Sequence, residues 1–219
     1  AEPEVEAGAR EAAAARARRH FALAVRYAWQ AAGPAVIACA GLAGTGKSTL
    51  ARELAATTGF VLLATDELCK RGSAAGAPAP YGAGLYTAAA RAATYETLAL
   101  EAEAALAAGH GVVADATFMR AADRRRLGAA AQRERRPYVF VECRAPETIV
   151  HARLLRRETE RPVSDARWNT YLEQRERWEP FGADEPHVVV DTGRDFAQAR
   201  ATACRLLWRW RQGRGIEAA

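Results

Sequence analysis

Apolar residues gather in short, nearly continuous runs at 35–40, 60–64, 111–115, 137–142 and 187–191. Each run is rich in valine, isoleucine, leucine or phenylalanine. Such runs suit strands of a parallel sheet covered on both faces, where no polar side is left to alternate with the apolar one. Between them lie longer stretches with helical character, at 46–57, 84–109, 119–134, 146–158, 165–177 and 194–211. Alternation of this kind predicts an α/β domain. Residues 8–31 are rich in alanine and arginine and carry Phe21, Leu23, Val25 and Trp29. They predict a helix with one modest apolar face, ending near Gly33-Pro34 and serving as a linker or docking helix. The expected division is therefore 1–33 as helix or linker and 34–219 as the main domain. Gly72 to Gly84 is a loop of Gly, Ala, Ser and Pro, long enough to suggest a functional segment.

The bulk numbers agree with that outline. A chain of 219 residues, 50% hydrophobic, can bury one full α/β core. A net charge of +5 suits phosphate ligands and is far from a nucleic-acid tail. Cys39, Cys69, Cys143 and Cys204 lie far apart with no Cys-x-x-Cys pair. Cys39 and Cys143, in strand-like runs, fit small buried apolar residues in a reducing cytoplasm. No apolar run approaches a membrane span, and no signal peptide is expected. The chain opens Ala1-Glu2-Pro3 without methionine, as a piece of a longer chain would.

The chemistry is most legible in Gly41-Leu42-Ala43-Gly44-Thr45-Gly46-Lys47-Ser48. The stretch matches the P-loop pattern without a mismatch and sits between a strand run and a helix run. Lys47 and Lys70 are the only lysines of an arginine-rich chain. Glycines let successive backbone N–H groups turn inward, and the following helix adds its unpaired N–H groups. Residues 41–48 and Thr49 are thus the expected cradle for ATP. Lys47 would meet the β- and γ-phosphates, and the Ser48 hydroxyl would ligate Mg²⁺.

Two aspartates close strands. Asp66 follows Val61-Leu62-Leu63-Ala64, and Asp115 ends Gly111-Val112-Val113-Ala114. Ligands of open parallel sheets bind outside the carboxyl ends of the strands, so both carboxylates are expected in the P-loop crevice. Asp66 is the candidate acceptor of a hydroxyl proton, and Asp115 the candidate Mg²⁺ partner beside Ser48. The two roles can be exchanged, and either residue can instead be a helix cap or turn residue. Arg153, Arg156, Arg157 and Arg161 crowd the end of one predicted helix and the loop after it. On a hinged lid over about 153–177, Arg153 and Arg157 would stabilise charge on the transferring phosphoryl group; on a solvated face they would pair with Glu158 and Glu160. Tyr81, Tyr86 and Phe118 are candidates to line the acceptor crevice. The four histidines have no ligand-like spacing. The basic and aromatic mixture of 205–211 can stack on nucleic acid, but the favoured reading docks Leu207 and Trp208 or Trp210 on the sheet while the arginines stay in water.

These residues, with Val112 to Phe118, Ser164-Asp165-Ala166 and Val190-Asp191-Thr192-Gly193, resemble P-loop kinases of the AAA family ATPase group. That group is related to gluconate kinases, chloramphenicol phosphotransferases, zeta toxins and polynucleotide kinases. The resemblance covers residues 17 to about 200. It implies a three-layer P-loop NTPase fold with a five-stranded parallel sheet in order 2-3-1-4-5 and a helical lid. It also implies that Asp66 is the general base and that the adenine edge lies near Thr192 and Gly193. Many relatives carry an arginine three residues beyond the base, which grips an anionic acceptor. Here that position is Cys69, followed by Lys70 and Arg71. In bacteria such domains often form the C-terminal half of a fusion with an aminoglycoside phosphotransferase-like domain, and 17–28 is similar to the connector. The implied activity is ATP- and Mg²⁺-dependent phosphorylation of a hydroxyl on a small molecule. The alternatives are a polynucleotide 5′-hydroxyl kinase, and a nucleotide-gated binding module without an acceptor.

Overall fold

The apolar runs are strands: β1 (Val36–Ala40), β2 (Val61–Ala64), β3 (Val112–Asp115), β4 (Tyr138–Arg144) and β5 (His187–Asp191). The computed structural model describes residues 7–72, 88–160 and 168–213, and only the backbone of residues 7, 72, 88 and 157–160. All strands join one parallel sheet in the order β2-β3-β1-β4-β5. Around them lie α1 (Ala7–Ala31), α2 (Lys47–Thr58), α3 (Thr65–Gly72), α4 (Ala88–Ala107), α5 (Ala121–Arg133), α6 (Glu147–Glu160), α7 (Trp168–Glu176) and α8 (Phe196–Arg211). The sheet order carries the strand-edge geometry of the site. Ala64 and Cys39 both align with Asp115, so the exits of β1, β2 and β3 meet at one edge.

Side chains alternate along each strand, and the sheet has a core on each face. Ile37 and Cys39 of β1 pack with Val113, Val139 and Val141 against Leu50 and Leu54 of α2 and Leu207 of α8. Val36, Ala38, Ala40 and Phe140 pack the other way, against Leu98, Ala102 and Leu106 of α4 and Leu127 of α5. The last turn of α1 joins the first layer through Trp29, whose ring meets Phe60 at 6.0 Å and Trp208 at 5.2 Å. Farther back on α1, Phe21, Leu23 and Tyr27 are exposed. At the other end of the chain Leu207 is buried, while Arg205 and Arg209 are exposed as expected. Arg211 instead turns inward and donates to the Ala32 and Gly33 carbonyls.

The structure adds two features to the predicted elements. Residues 65–72 form a separate helix, α3, carrying Asp66 in its first turn. Its four-residue strand partner and the run Asp-Glu-Leu-Cys-Lys-Arg are too short to show helical periodicity. Strand β4 runs through Cys143 and Arg144, because Arg144 pairs with Asp191 of β5. Its polar end hides it from an apolarity pattern: Glu142 is buried yet held by Arg144 through bonds of 2.8 and 2.9 Å. Among the described residues, no helix is long and apolar enough to cross a membrane.

Candidate active site

The loop between β1 and α2 has the backbone that its glycines permit. Gly44 and Gly46 adopt φ values of 78° and 88°, which a side chain with Cβ rarely tolerates. The Thr45 hydroxyl donates to the Leu42 carbonyl at 2.9 Å, folding the loop on itself. Helix α2 starts at Lys47 behind Gly46, with no side-chain cap on its first N–H groups. Those groups and the positive end of the helix face outward, as an anion requires.

Neighbouring elements brace the loop from three sides. The Gly41 N–H donates to the Thr117 carbonyl after β3, at 3.1 Å. The Ala43 N–H donates to Oε1 of Gln174 on α7, at 2.8 Å. Ala43 also shares a small apolar cluster with Val150 and Leu154 of α6 and Tyr171 of α7. Thr192, just past β5, is buried, and its hydroxyl is hydrogen-bonded at the carbonyls of Thr45 and Arg144. Of the expected adenine-edge pair, Thr192 touches the cradle directly, and Gly193 packs on Pro146, where a Cβ would approach Cδ to 2.3 Å.

The two strand-end aspartates meet the loop. Asp115 senses Lys47, Ser48 and Asp66. Burial pushes its carboxyl up, and the proximity of Asp66 adds to the shift. Attraction to Lys47 and the hydroxyl of Ser48 works in the opposite direction without cancelling it. Asp115 Oδ1 is buried and has no hydrogen-bond partner. An orphaned carboxylate oxygen in a low-dielectric site is costly, and beside a hydroxyl it forms a hard oxygen pair. Mg²⁺ takes this kind of donor set, one carboxylate and a hydroxyl completed by phosphates and water. The residues present fit that ion. Among the described residues, no group of three or more His, Cys, Asp or Glu side chains gathers as an all-protein metal cage.

Asp66 is exposed, two residues past the Ala64–Asp115 pairing. Thr65 fixes that exit by donating to the Asp115 carbonyl at 3.3 Å. Arg153 of α6 reaches the loop: its Nη2 donates to the Thr192 carbonyl at 2.7 Å. Its Nη1 lies 3.4 Å from where a Cβ on Gly46 would stand. Arg156 is exposed. The Arg157 side chain lies outside the described residues, as do Arg161, Ser164-Asp165, Tyr81 and Tyr86. Of the candidate crevice aromatics, Phe118 turns into the core, fully buried with φ 48°.

Three supporting residues carry no sequence signal of their own. Tyr95 on α4 uses its hydroxyl to accept from the Phe118 N–H at 2.9 Å and to meet Thr117 Oγ1 at 3.0 Å. Arg124 is buried, and its five N–H groups are all engaged. They meet both oxygens of Glu185 and the carbonyls of Phe118, Glu179 and Pro180 at 2.7–3.1 Å. Its guanidinium also lies 4.3 Å from the Phe181 ring centre. Arg124 thus ties the turn after Asp115 to the segment before β5. The third is Gln174. One arginine among Arg124-Arg125-Arg126 is buried and the string does not say which; only the face of α5 that packs into the core decides it.

Known proteins place this geometry in a wider group. An uncharacterized protein of Mycobacterium tuberculosis is 37% identical over 121 residues, which are 52% of this chain and 24% of the relative. The chain thus spans about a quarter of the length of the curated relatives it matches. A sugar kinase from Janibacter has the same fold, with TM-score 0.65 and 19% identity over 80% of this chain and 94% of that one. A gluconokinase from Sinorhizobium meliloti gives TM-score 0.61 and 21% identity, covering 82% and 95% of the two chains. The APS kinase of M. tuberculosis, solved with AMPPNP and APS, gives 0.57 and 17%, covering 80% and 98%. The five-stranded order and the phosphate loop are common ground with these folds. The AAA domain family model matches residues 36–180, from the first strand through the segment held by Arg124, and this chain belongs to that family.

Proposed function

We propose that this chain is an ATP- and Mg²⁺-dependent kinase that phosphorylates a hydroxyl group of a small molecule. The observation that carries the reading is the convergence of Lys47, Ser48, Asp115 and Asp66 at one sheet edge. A module that only binds Mg·nucleotide would need the first three, so Asp66 is the residue that argues for an acceptor. Structural likeness to a gluconokinase, a sugar kinase and APS kinase supports phosphoryl transfer.

In this reading the amides of 41–49 and the Lys47 ammonium bind the β- and γ-phosphates. Mg²⁺, held by Ser48 and Asp115, supplies charge neutralisation and orientation of the phosphate oxygens. Asp66 hydrogen-bonds the acceptor hydroxyl and takes its proton as the oxygen bonds to the γ-phosphorus. The bond to the β–γ bridging oxygen breaks, and its electron pair leaves on ADP. Arg153 would meet the charge that spreads over the transferring group, the role that the sequence also gives to Arg157. Thr192 and Gly193 flank the nucleotide. The free cysteines support a reducing, cytoplasmic setting.

A panel of hydroxyl acceptors with labelled ATP tests the proposal on wild type and Asp66→Ala. The expected result is transfer to at least one small acceptor, reduced by at least ~100-fold in the variant with nucleotide affinity unchanged. Equal turnover in both proteins, with no labelled product, would leave only nucleotide gating. A preference for 5′-hydroxyl oligonucleotides with steep salt dependence would move the acceptor to nucleic acid.

A further inference from the structure

Gln174 reaches from α7 to the phosphate loop, yet it takes no part in the phosphate contacts or the proton transfer. It is buried, and its Oε1 accepts from the Ala43 N–H at 2.8 Å. Neighbouring loop amides are held by the main chain instead: those of Gly41 and Thr45 donate to the Thr117 and Leu42 carbonyls. A side chain 131 positions away thus fixes the third residue of the loop.

Helices α6 and α7 form an antiparallel arm against this loop. The start of α6 meets the end of α7 through Glu147 and Arg175, 2.7 Å apart. Farther along, the rings of His151 and Trp168 meet at 4.6 Å. Trp168 stacks in turn on Tyr171, at 5.0 Å. Tyr171 packs with Val150, Leu154 and Ala43, and Gln174 follows it by one turn on the same side of α7. The arm therefore meets Ala43 in two ways, through apolar packing and through one hydrogen bond.

The two contacts act differently. Apolar packing is non-directional, so it holds the arm close without fixing its slide or rotation. A hydrogen bond weakens steeply when its angle is lost, so the Gln174 amide fixes direction. Arg153 lies on α6 between Val150 and Leu154. Its Nη2 donates to the Thr192 carbonyl, and its Nη1 stands beside Gly46. A slide of the arm along the loop would carry this guanidinium with it, and small misplacements of a catalytic charge are costly.

We propose that Gln174 is a positioning residue for phosphoryl transfer: its bond to Ala43 registers the α6–α7 arm on the phosphate loop and thereby sets Arg153 against the γ-phosphoryl group. This deepens the kinase reading and rests on it. A neutral amide suits the task. Its oxygen accepts from the loop N–H without placing a negative charge beside the phosphates, as a glutamate would.

Calorimetric titration of the intact chain with Mg·AMPPNP and Mg·ADP tests the assignment, because the ratio of the two affinities reads contacts at the γ-position and needs no acceptor. Gln174→Met keeps the length of the side chain and removes its oxygen. It should lower the preference for Mg·AMPPNP at least ~5-fold, with Mg·ADP affinity unchanged. Arg153→Met should lower that preference at least ~10-fold. The double variant should be no worse than Arg153→Met, because a joint that acts through Arg153 then has nothing left to position. An unchanged ratio in either single variant would overturn the proposal. So would additive losses in the double variant, or loss of Mg·ADP binding by Gln174→Met, the mark of a residue that only holds the fold. Failure of the kinase reading shows separately, as wild type that binds neither nucleotide or transfers to no acceptor.

Discussion

Gly44→Ala tests whether the phosphate loop and α6 form one packed unit. The new methyl group would stand 2.9 Å from Val150 Cγ1 and 3.0 Å from Leu154 Cγ. Real Cβ contacts are longer, and Val150 is stiff at χ1. Overpacking of this kind costs about 1–3 kcal/mol. The backbone adds its own penalty, since φ is 78° and an L-residue in that region costs roughly 1–2 kcal/mol. The sum is about 2–5 kcal/mol. For a domain of this size that lowers Tm by about 4–20 °C, or the loop moves and Mg·ATP affinity falls instead. Val150→Ala makes room for the methyl group. Chemical denaturation of the two single variants and the double variant then forms a cycle. The steric part should reappear as a coupling of about 1–3 kcal/mol in favour of the double variant, while the backbone part stays. A Gly44→Ala protein within about 0.5 kcal/mol of wild type, with normal nucleotide affinity, would refute the reasoning. So would strict additivity in the cycle.

Asp115→Asn should raise the Mg²⁺ concentration for half-maximal transfer about 10- to 100-fold, read from Mg²⁺ titrations at fixed nucleotide; an unchanged titration would remove Asp115 from the metal site. Arg124→Met leaves Glu185 without its bidentate partner and should cost about 3–5 kcal/mol in denaturant unfolding; a loss under about 1 kcal/mol would show that the turn after Asp115 is held by other contacts. Burial pushes the Glu185 carboxyl up, but the bonds from Arg124 and Gly182 outweigh it and hold the group below its ordinary range. Its contribution is thus complete above about pH 4.3, the unfolded value, and is lost as pH falls toward the depressed folded value. Melting temperatures of wild type and Glu185→Gln should therefore converge as pH falls below about 4.3; a constant gap would contradict the assignment.

Neighbours along the chain settled the local parts of this protein. The glycine spacing of 41–48 dictates a loop whose amides face inward, because only glycine permits the positive φ values at Gly44 and Gly46. Continuous apolar runs marked the strands, because a strand covered on both faces has no polar side. Asp66 and Asp115 were legible as crevice residues because one follows a strand run and the other ends one, and parallel strands deliver their exits to one edge. The order of those strands came from resemblance, since periodicity says nothing about which strands pair.

Tertiary structure decided everything that depends on facing surfaces. It selected Arg124 from three consecutive arginines, because one face of α5 packs against the sheet and closes over Phe118. It buried Thr192 against the phosphate loop, although a threonine after a strand looks in sequence like any loop residue. Local sequence fixes dihedral angles and the side of a strand that must be buried. Which polar groups meet across a crevice follows only when the sheet has assembled and desolvation has forced each of them to find a partner.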